Sequence, residues 1–163
     1  MPNTDKPSNA TFLETLDRYV PEVLMTMVSI QATPGTGDLQ APQPSNLTGV
    51  TGAIGLSGKI NGVVYTAFTE GLAKYVAEKI LGGSASDQDV ADVVAELTNM
   101  ITGNLKSLLC DMGFNCALSI PSVVRGDEIN VSAKNASISI RNSYAVEGSP
   151  DPLVVQVFAA VEA

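Results

Sequence analysis

Apolar residues in the N-terminal part of the chain recur at helical spacing. From Thr11 to Met27 they lie three or four residues apart, which predicts an amphipathic helix. Asn9 is a candidate N-cap for this helix, and Pro21 lies inside the pattern, where it should kink the helix or divide it in two. Residues 1–8 are polar and read as a disordered lead to the domain.

Two further helices are predicted near the middle of the chain. One covers Glu70–Leu81, and the longest covers residues 87–112. Ser84 or Ser86 can cap the start of the longer helix. Glycine follows each of these two patterns and supplies the residue type that most often ends a helix.

Alternating or β-branched runs predict strands over residues 28–33, 50–57, 63–69, 116–120, 128–132, 136–145 and 153–161. The second and third of these form a predicted hairpin whose turn is Asn61-Gly62. Residues 34–45 are rich in Pro, Gly and Gln and are expected to form a loop. This order of elements favours the α+β class, with a largely antiparallel sheet packed against two to three helices in a single domain spanning residues 1–163.

Composition excludes several kinds of partner. The chain has 163 residues, 45% of them hydrophobic, and a net charge of −8. A chain of this size buries enough surface to hold a core without a metal or a disulfide. Nucleic acid and anionic membrane surfaces are disfavoured because both require clustered basic residues, and the nine Lys and Arg are dispersed. No signal peptide or membrane span is evident, so the protein is expected to be cytoplasmic.

The chain contains no histidine. Mechanisms with a histidine base are therefore excluded. The two cysteines, Cys110 and Cys116, are six residues apart, which is not a redox spacing, and they are expected to be reduced thiols in or near the core. No metal or other cofactor is expected on this chain. Any chemistry must use carboxylates, amides, hydroxyls or lysines, or groups that a partner supplies.

The predicted helix over residues 87–112 has two different faces. Its apolar residues fall on one side, which is expected to be buried: Val90, Val94, Leu97, Ile101, Leu105, Leu108 and Met112. Asp92, Glu96, Asn99, Gly103 and Lys106 fall on the opposite side. Polar residues on such a face are often simply solvated. A glycine within the helix costs about 1 kcal/mol relative to alanine, which suggests that something approaches closely there.

The pattern Asp92-x-x-x-Glu96-x-x-Asn99 resembles the D/S-xxx-E-xx-N signature of the CheC and CheX chemotaxis phosphatases. The resemblance covers nearly the whole chain. It extends to the glycine-marked hairpin, to Leu81-Gly82-Gly83 at a helix end, and to the segment from Ile120 to Gly126. A single copy of the motif fits CheX better than CheC, which usually has two.

The resemblance implies an activity, namely hydrolysis of the aspartyl phosphate on a CheY-like response-regulator receiver domain. It implies that Glu96 pairs with the receiver's active-site lysine and that Asn99 orients the attacking water. Asp92 and Gly103 are expected to contact the receiver, which would itself hold the Mg²⁺. Members of the family form homodimers, so a homodimer is also expected.

Two alternatives remain open from the sequence. One is a CheX-like module that binds a receiver or another signalling partner without catalysis, which would have no need of the Glu96 and Asn99 pair. The other, for which the sequence offers no positive feature, is a small-molecule binding domain with its pocket under the 34–45 loop.

Overall fold

The computed structural model describes residues 6–162, and residues 1–5 of the predicted lead lie outside that range. Within it the chain forms three helices and seven strands. Their bounds, in chain order, are α1 (Asn9–Val28), β1 (Ala32–Pro34), β2 (Ser45–Gly58), β3 (Ile60–Phe68), α2 (Glu70–Leu81), α3 (Asp87–Asp111), β4 (Cys116–Leu118), β5 (Ser122–Val131), β6 (Ile138–Val146) and β7 (Leu153–Val161).

The seven strands form one antiparallel sheet. Its order is β1-β6-β7-β3-β2-β4, and β5 also pairs with β2, along a different stretch of that strand from β4. The strands that follow the long helix in sequence therefore lie on both sides of the β2–β3 hairpin. The predicted α+β class, with an antiparallel sheet and helices packed against it, is confirmed.

The three helices cover one face of this sheet. Phe12 of α1, Leu72 of α2 and Ile101 of α3 are almost completely buried in one continuous core with inward-facing strand residues such as Val157. Alternation along each strand sends successive side chains to opposite faces, so one set of strand residues meets the helices and the other faces away from them.

The first residues of β2 cover part of the other face. β2 pairs with β3 only from Val50 onward, and its register with β5 shifts between Leu47 and Gly49. Residues 45–49 of β2 are therefore not paired with β3, and we call them the released end of β2. This end reaches β7, where the Ser45 hydroxyl donates to Gln156 Oε1 at 2.8 Å. Leu47 packs there with Phe158 in a second, smaller apolar cluster.

The predicted helix boundaries are largely confirmed, with two corrections in α1. Ser8, not Asn9, is the N-cap, because its hydroxyl accepts from the Thr11 N–H while the Asn9 side chain accepts from Ser139. Of the two outcomes expected at Pro21, a kink or a division, the division is wrong, because α1 continues through Pro21 as one helix. Proline removes one main-chain donor there, and the buried apolar residues on both sides of it keep the two halves on the same core.

Two strand predictions are also corrected. Residue 28 still belongs to α1, and the strand starts at Ala32, because Ser29 ends the helix in a left-handed conformation with φ 59°. The predicted Asn61-Gly62 turn is wrong, since Asn61 lies within β3 and the chain reverses at Lys59. The Asn61 side chain stabilises that reversal by accepting from the Gly58 N–H and donating to the Gly58 carbonyl.

Candidate functional site

Side-chain hydrogen bonds fix the N-terminus of α3. The Ser86 hydroxyl accepts from the Asp89 N–H at 3.1 Å, and the Asp89 carboxylate accepts from the Ser86 N–H at 3.0 Å, which together form a capping box. Arg125 of β5 donates to the Asp87 carbonyl at 2.7 Å. These contacts fix where the helix begins and therefore which residues reach its outer face.

The inner face of α3 is buried largely as predicted. Most of the predicted apolar stripe is buried against the sheet and the other helices. Leu108 and Met112 are only half-buried, and Leu109 takes the core position instead. The reason is geometric, because Leu109 follows Leu105 by four residues and so continues along the side of the helix that faces the sheet.

Two threonines that the apolar pattern did not include lie where α3 packs against the sheet. Thr98 and Thr102 are fully buried, and each hydroxyl donates to the carbonyl four residues earlier, at 2.6 and 2.7 Å. The Thr98 hydroxyl also contacts the hydroxyl of Thr66 on β3. Because Gly52 of β2 has no side chain, Thr98 can approach the strand backbone closely. Buried polar groups are thus satisfied at the point where the helix comes nearest the strands.

The outer face carries the predicted site residues. Asp92, Glu96 and Asn99 are all exposed, as the face assignment requires. Among residues 6–162, neither Glu96 nor Asn99 has a side-chain hydrogen bond or an ion pair. Asp92 accepts from Gln88 Nε2 at 2.8 Å, within the same helix. Within residues 6–162, and apart from the adjacent backbone of α3 itself, no atom lies within 4 Å of a β-carbon placed on Gly103, so this part of the helix surface is open.

This arrangement limits what the site can do. Side chains three residues apart on a helix have β-carbons about 5–6 Å apart, so Glu96 and Asn99 can address one partner group together. A carboxylate binds a cation, and a carboxamide can both donate to and accept from a water molecule. In the part of the chain that the structure describes, no cluster of acidic or cysteine side chains is arranged to hold a metal ion.

Cys116 is a poor candidate for a nucleophile. Cys110 and Cys116 are both free thiols; Cys116 is buried and Cys110 half-buried. Burial raises the pKa of the Cys116 thiol, the neighbouring Cys110 raises it further, and Lys106 opposes the shift. A thiol with a raised pKa is mostly protonated at neutral pH and therefore a poor nucleophile.

Two cavities of about 320 Å³ each lie elsewhere and share Arg141. One is lined in part by Thr36, Gly37 and Asp38, under the loop that precedes β2. The Arg141 guanidinium donates to the Ser45 hydroxyl, to the Asn46 carbonyl and to Gln156 Oε1. Arg141 thereby joins the released end of β2 to β6 and β7, which gives it a structural role.

Comparison with known proteins gives a consistent pattern. Residues 50–142 match the family model described as chemotaxis phosphatase CheX. A CheC-like superfamily protein from Shewanella sp. PV-4 is 28% identical with a TM-score of 0.79, over 91% of this chain and 97% of that one. Chemotaxis protein CheX from Vibrio vulnificus is 26% identical with a TM-score of 0.80, over 91% and 99%.

A third similar structure is a complex. The CheX–CheY–BeF₃–Mg²⁺ complex from Borrelia burgdorferi is 22% identical to this chain with a TM-score of 0.68, over 93% and 98% of the two chains. No curated protein matches the chain. Across residues 6–162, no helix is both long and apolar enough to cross a membrane.

Proposed function

Since this chain belongs to the CheX family of chemotaxis phosphatases, we propose that its substrate is the aspartyl phosphate of a CheY-like receiver domain, hydrolysed with the help of Glu96 and Asn99. The observation that carries the proposal is that these two side chains are exposed one helical turn apart and make no side-chain hydrogen bond or ion pair with residues 6–162. Polar groups left free in this way are available to a partner.

Glu96 binds the receiver. Its carboxylate forms an ion pair with the receiver's active-site lysine, and none of the ion pairs within residues 6–162 includes that carboxylate. Such a pair fixes the register of the two proteins and contributes to association more than to chemistry. Asp92 lies one turn before Glu96 and adds negative charge to the same contact.

Asn99 contributes to the hydrolysis step by positioning the attacking water. Its carboxamide oxygen accepts a hydrogen bond from the attacking water and its NH2 group donates one towards the phosphoryl group, which holds the water in line with the phosphorus atom. This is catalysis by positioning, so it requires no base from this chain and no covalent intermediate on it. The absence of histidine is compatible with that division of work.

The receiver supplies the remaining groups. It carries the phosphorylated aspartate, and it holds a Mg²⁺ that neutralises charge on the phosphoryl oxygens. The complex of the Borrelia burgdorferi relative, which contains CheY, BeF₃ and Mg²⁺, supports a partner of this kind. Gly103 leaves room for the receiver on the same face of α3.

The rival function is a module that binds a receiver without hydrolysing its phosphate. Both functions use the same acidic face. They differ at Asn99, because a surface that only binds the receiver gains little from an amide aimed at the phosphoryl group.

The experiment measures loss of phosphate from a phosphorylated receiver with Mg²⁺. The wild-type protein should accelerate it, and Asn99→Ala should lower kcat by about 100-fold, as removal of one positioned polar group does in other enzymes. Asn130→Ala changes an exposed asparagine on β5 and is the matched control. If no receiver loses phosphate faster, or if both variants retain full activity, the proposed mechanism is wrong.

A homodimer and a cytoplasmic location stay predictions. The sheet has edges at β1 and along β4 and β5, and a free edge can pair with a second chain. Sedimentation of the purified protein over a range of concentrations measures its oligomeric state.

A further inference from the structure

An apolar groove lies beside Glu96, where the three helices meet. Its volume is about 160 Å³. Its lining comes from all three helices and consists of Met27, Ile80, Asp92, Val93, Glu96 and Leu97. Four of these side chains are apolar and the other two are the acids of the proposed receiver-binding face.

The groove is open to solvent. Ile80 near the end of α2 is 36% exposed, and Val93 and Met27 are half-buried. A partner that covers these apolar side chains removes them from water, which makes a favourable contribution to the free energy of binding.

The groove and the proposed catalytic amide lie on either side of Glu96. Successive residues on an α-helix turn by about 100°, so Val93 and Asn99 each lie about 60° from Glu96 around α3, in opposite directions. A partner centred on Glu96 can therefore contact Asn99 on one side and the groove on the other.

Charge also selects the occupant. Within residues 6–162 the ion pairs join Lys74 to Glu78 and Arg125 to both Glu70 and Asp87, so neither acid at the groove is neutralised in this way. The surface thus offers a small apolar site with two carboxylates at its rim. It fits a partner that presents an apolar side chain next to a cation.

We propose that this groove binds one apolar side chain of the receiver domain, adjacent to the lysine that pairs with Glu96, and that it helps determine which receiver is bound. The inference rests on the proposed function for the identity of the partner. A cavity of about 150 Å³ holds a molecule the size of benzene, so the groove has space for a single leucine- or phenylalanine-sized side chain. Ile80 is then a specificity residue that contacts the partner without taking part in the chemistry.

The test separates binding from turnover. Ile80→Ser should weaken binding of a BeF₃-activated receiver by about 10-fold and raise KM similarly, while kcat at saturation stays within about twofold, because the lost contact is equal in ground and transition states. Ile80→Val keeps an apolar contact and should stay close to wild type. The thermal unfolding of each variant is measured alongside.

Leu39→Ser is the matched control. Leu39 is similarly exposed, at 46%, and lies in the loop that pairs with β6, outside the three-helix layer. Its substitution should leave receiver binding unchanged. If Ile80→Ser binds as wild type, or if Leu39→Ser loses as much affinity, the groove proposal is wrong.

The two proposals fail differently. Weak binding of Ile80→Ser together with full activity of Asn99→Ala would reject the catalytic mechanism and keep the groove. Normal binding of Ile80→Ser together with inactive Asn99→Ala would reject the groove and keep the mechanism. If wild type binds no BeF₃-activated receiver, both proposals are rejected.

Discussion

Gly52 of β2 lies directly beneath Thr98 of α3. A β-carbon on Gly52 would overlap the Thr98 hydroxyl oxygen and lie 2.9 Å from the Thr98 β-carbon. The helix that carries the proposed catalytic amide therefore rests on strand backbone, and the residue that makes this contact immediately precedes Asn99 in sequence.

Gly52→Ala should move α3 away from the sheet. We expect a loss of about 1–3 kcal/mol in the free energy of unfolding, as for other overpacked core sites, and a lower kcat because Asn99 is displaced. Urea unfolding and receiver dephosphorylation measure the two effects. Gly55→Ala on the same strand is the control, since its new methyl would lie 3.6 Å from the nearest atom, in ordinary contact.

Gly103→Ala should stabilise the protein and weaken its activity. Alanine in a helix interior is more favourable than glycine by about 1 kcal/mol, and within residues 6–162 the new methyl would contact no other element of the structure. The same methyl stands on the face proposed to contact the receiver, so KM should rise. Gly71→Ala on α2 should stabilise the protein with no change in KM, and equal KM values for both variants would remove Gly103 from the interface.

Glu96→Gln should weaken receiver binding in a salt-dependent manner. The change keeps the shape of the side chain and removes its charge, so KM should rise about 10-fold at low ionic strength and by less at high ionic strength, where screening already weakens the wild-type pair. Glu128→Gln removes an exposed acid from β5 and serves as the control. A Glu96→Gln effect that is independent of salt contradicts an ion pair.

Tyr144 should make the fold sensitive to alkali. Its side chain is fully buried, and burial, followed by the hydrogen bond to Asp17 at 2.8 Å, raises the pKa of its phenol well above the ordinary value. The unfolded chain releases this proton above about pH 10 while the folded protein retains it. Stability is therefore complete below pH 10 and is lost as the pH rises beyond it.

Tyr144→Phe tests this by unfolding at several pH values. We expect a loss of about 1 kcal/mol at neutral pH from the missing hydrogen bond and a shallower decline of stability above pH 10. Parallel curves for wild type and variant would contradict the assignment.

Much of the fold was predictable because local pattern and tertiary packing agree. The α2 bounds and β7 follow directly from apolar spacing and from a glycine at the helix end. The outward position of Glu96 and Asn99 was predictable for the same reason, since a helix with one apolar stripe has only one way to bury it.

The errors occur where distant contacts decide the structure. Asn61-Gly62 carries the sequence of a turn, but β7 pairs with both residues and keeps them in β3. Thr98 and Thr102 are polar in sequence, and their burial depends on the main-chain carbonyls and on Thr66 from another element. The lining of the groove at Ile80 comes from all three helices, so no single segment of the sequence indicates it.

The exposure of Asn99 on the outer side of α3 has a consequence for inhibition. Its amide is exposed, so a free acyl phosphate in solution would meet it without the lysine, the Mg²⁺ or the aspartate that the receiver is proposed to supply. Asn99 lines none of the three cavities described above, so released phosphate is not expected to be retained beside it, and product inhibition should be weak. A compound that blocks this phosphatase would have to cover the exposed amide and compete with an entire protein surface.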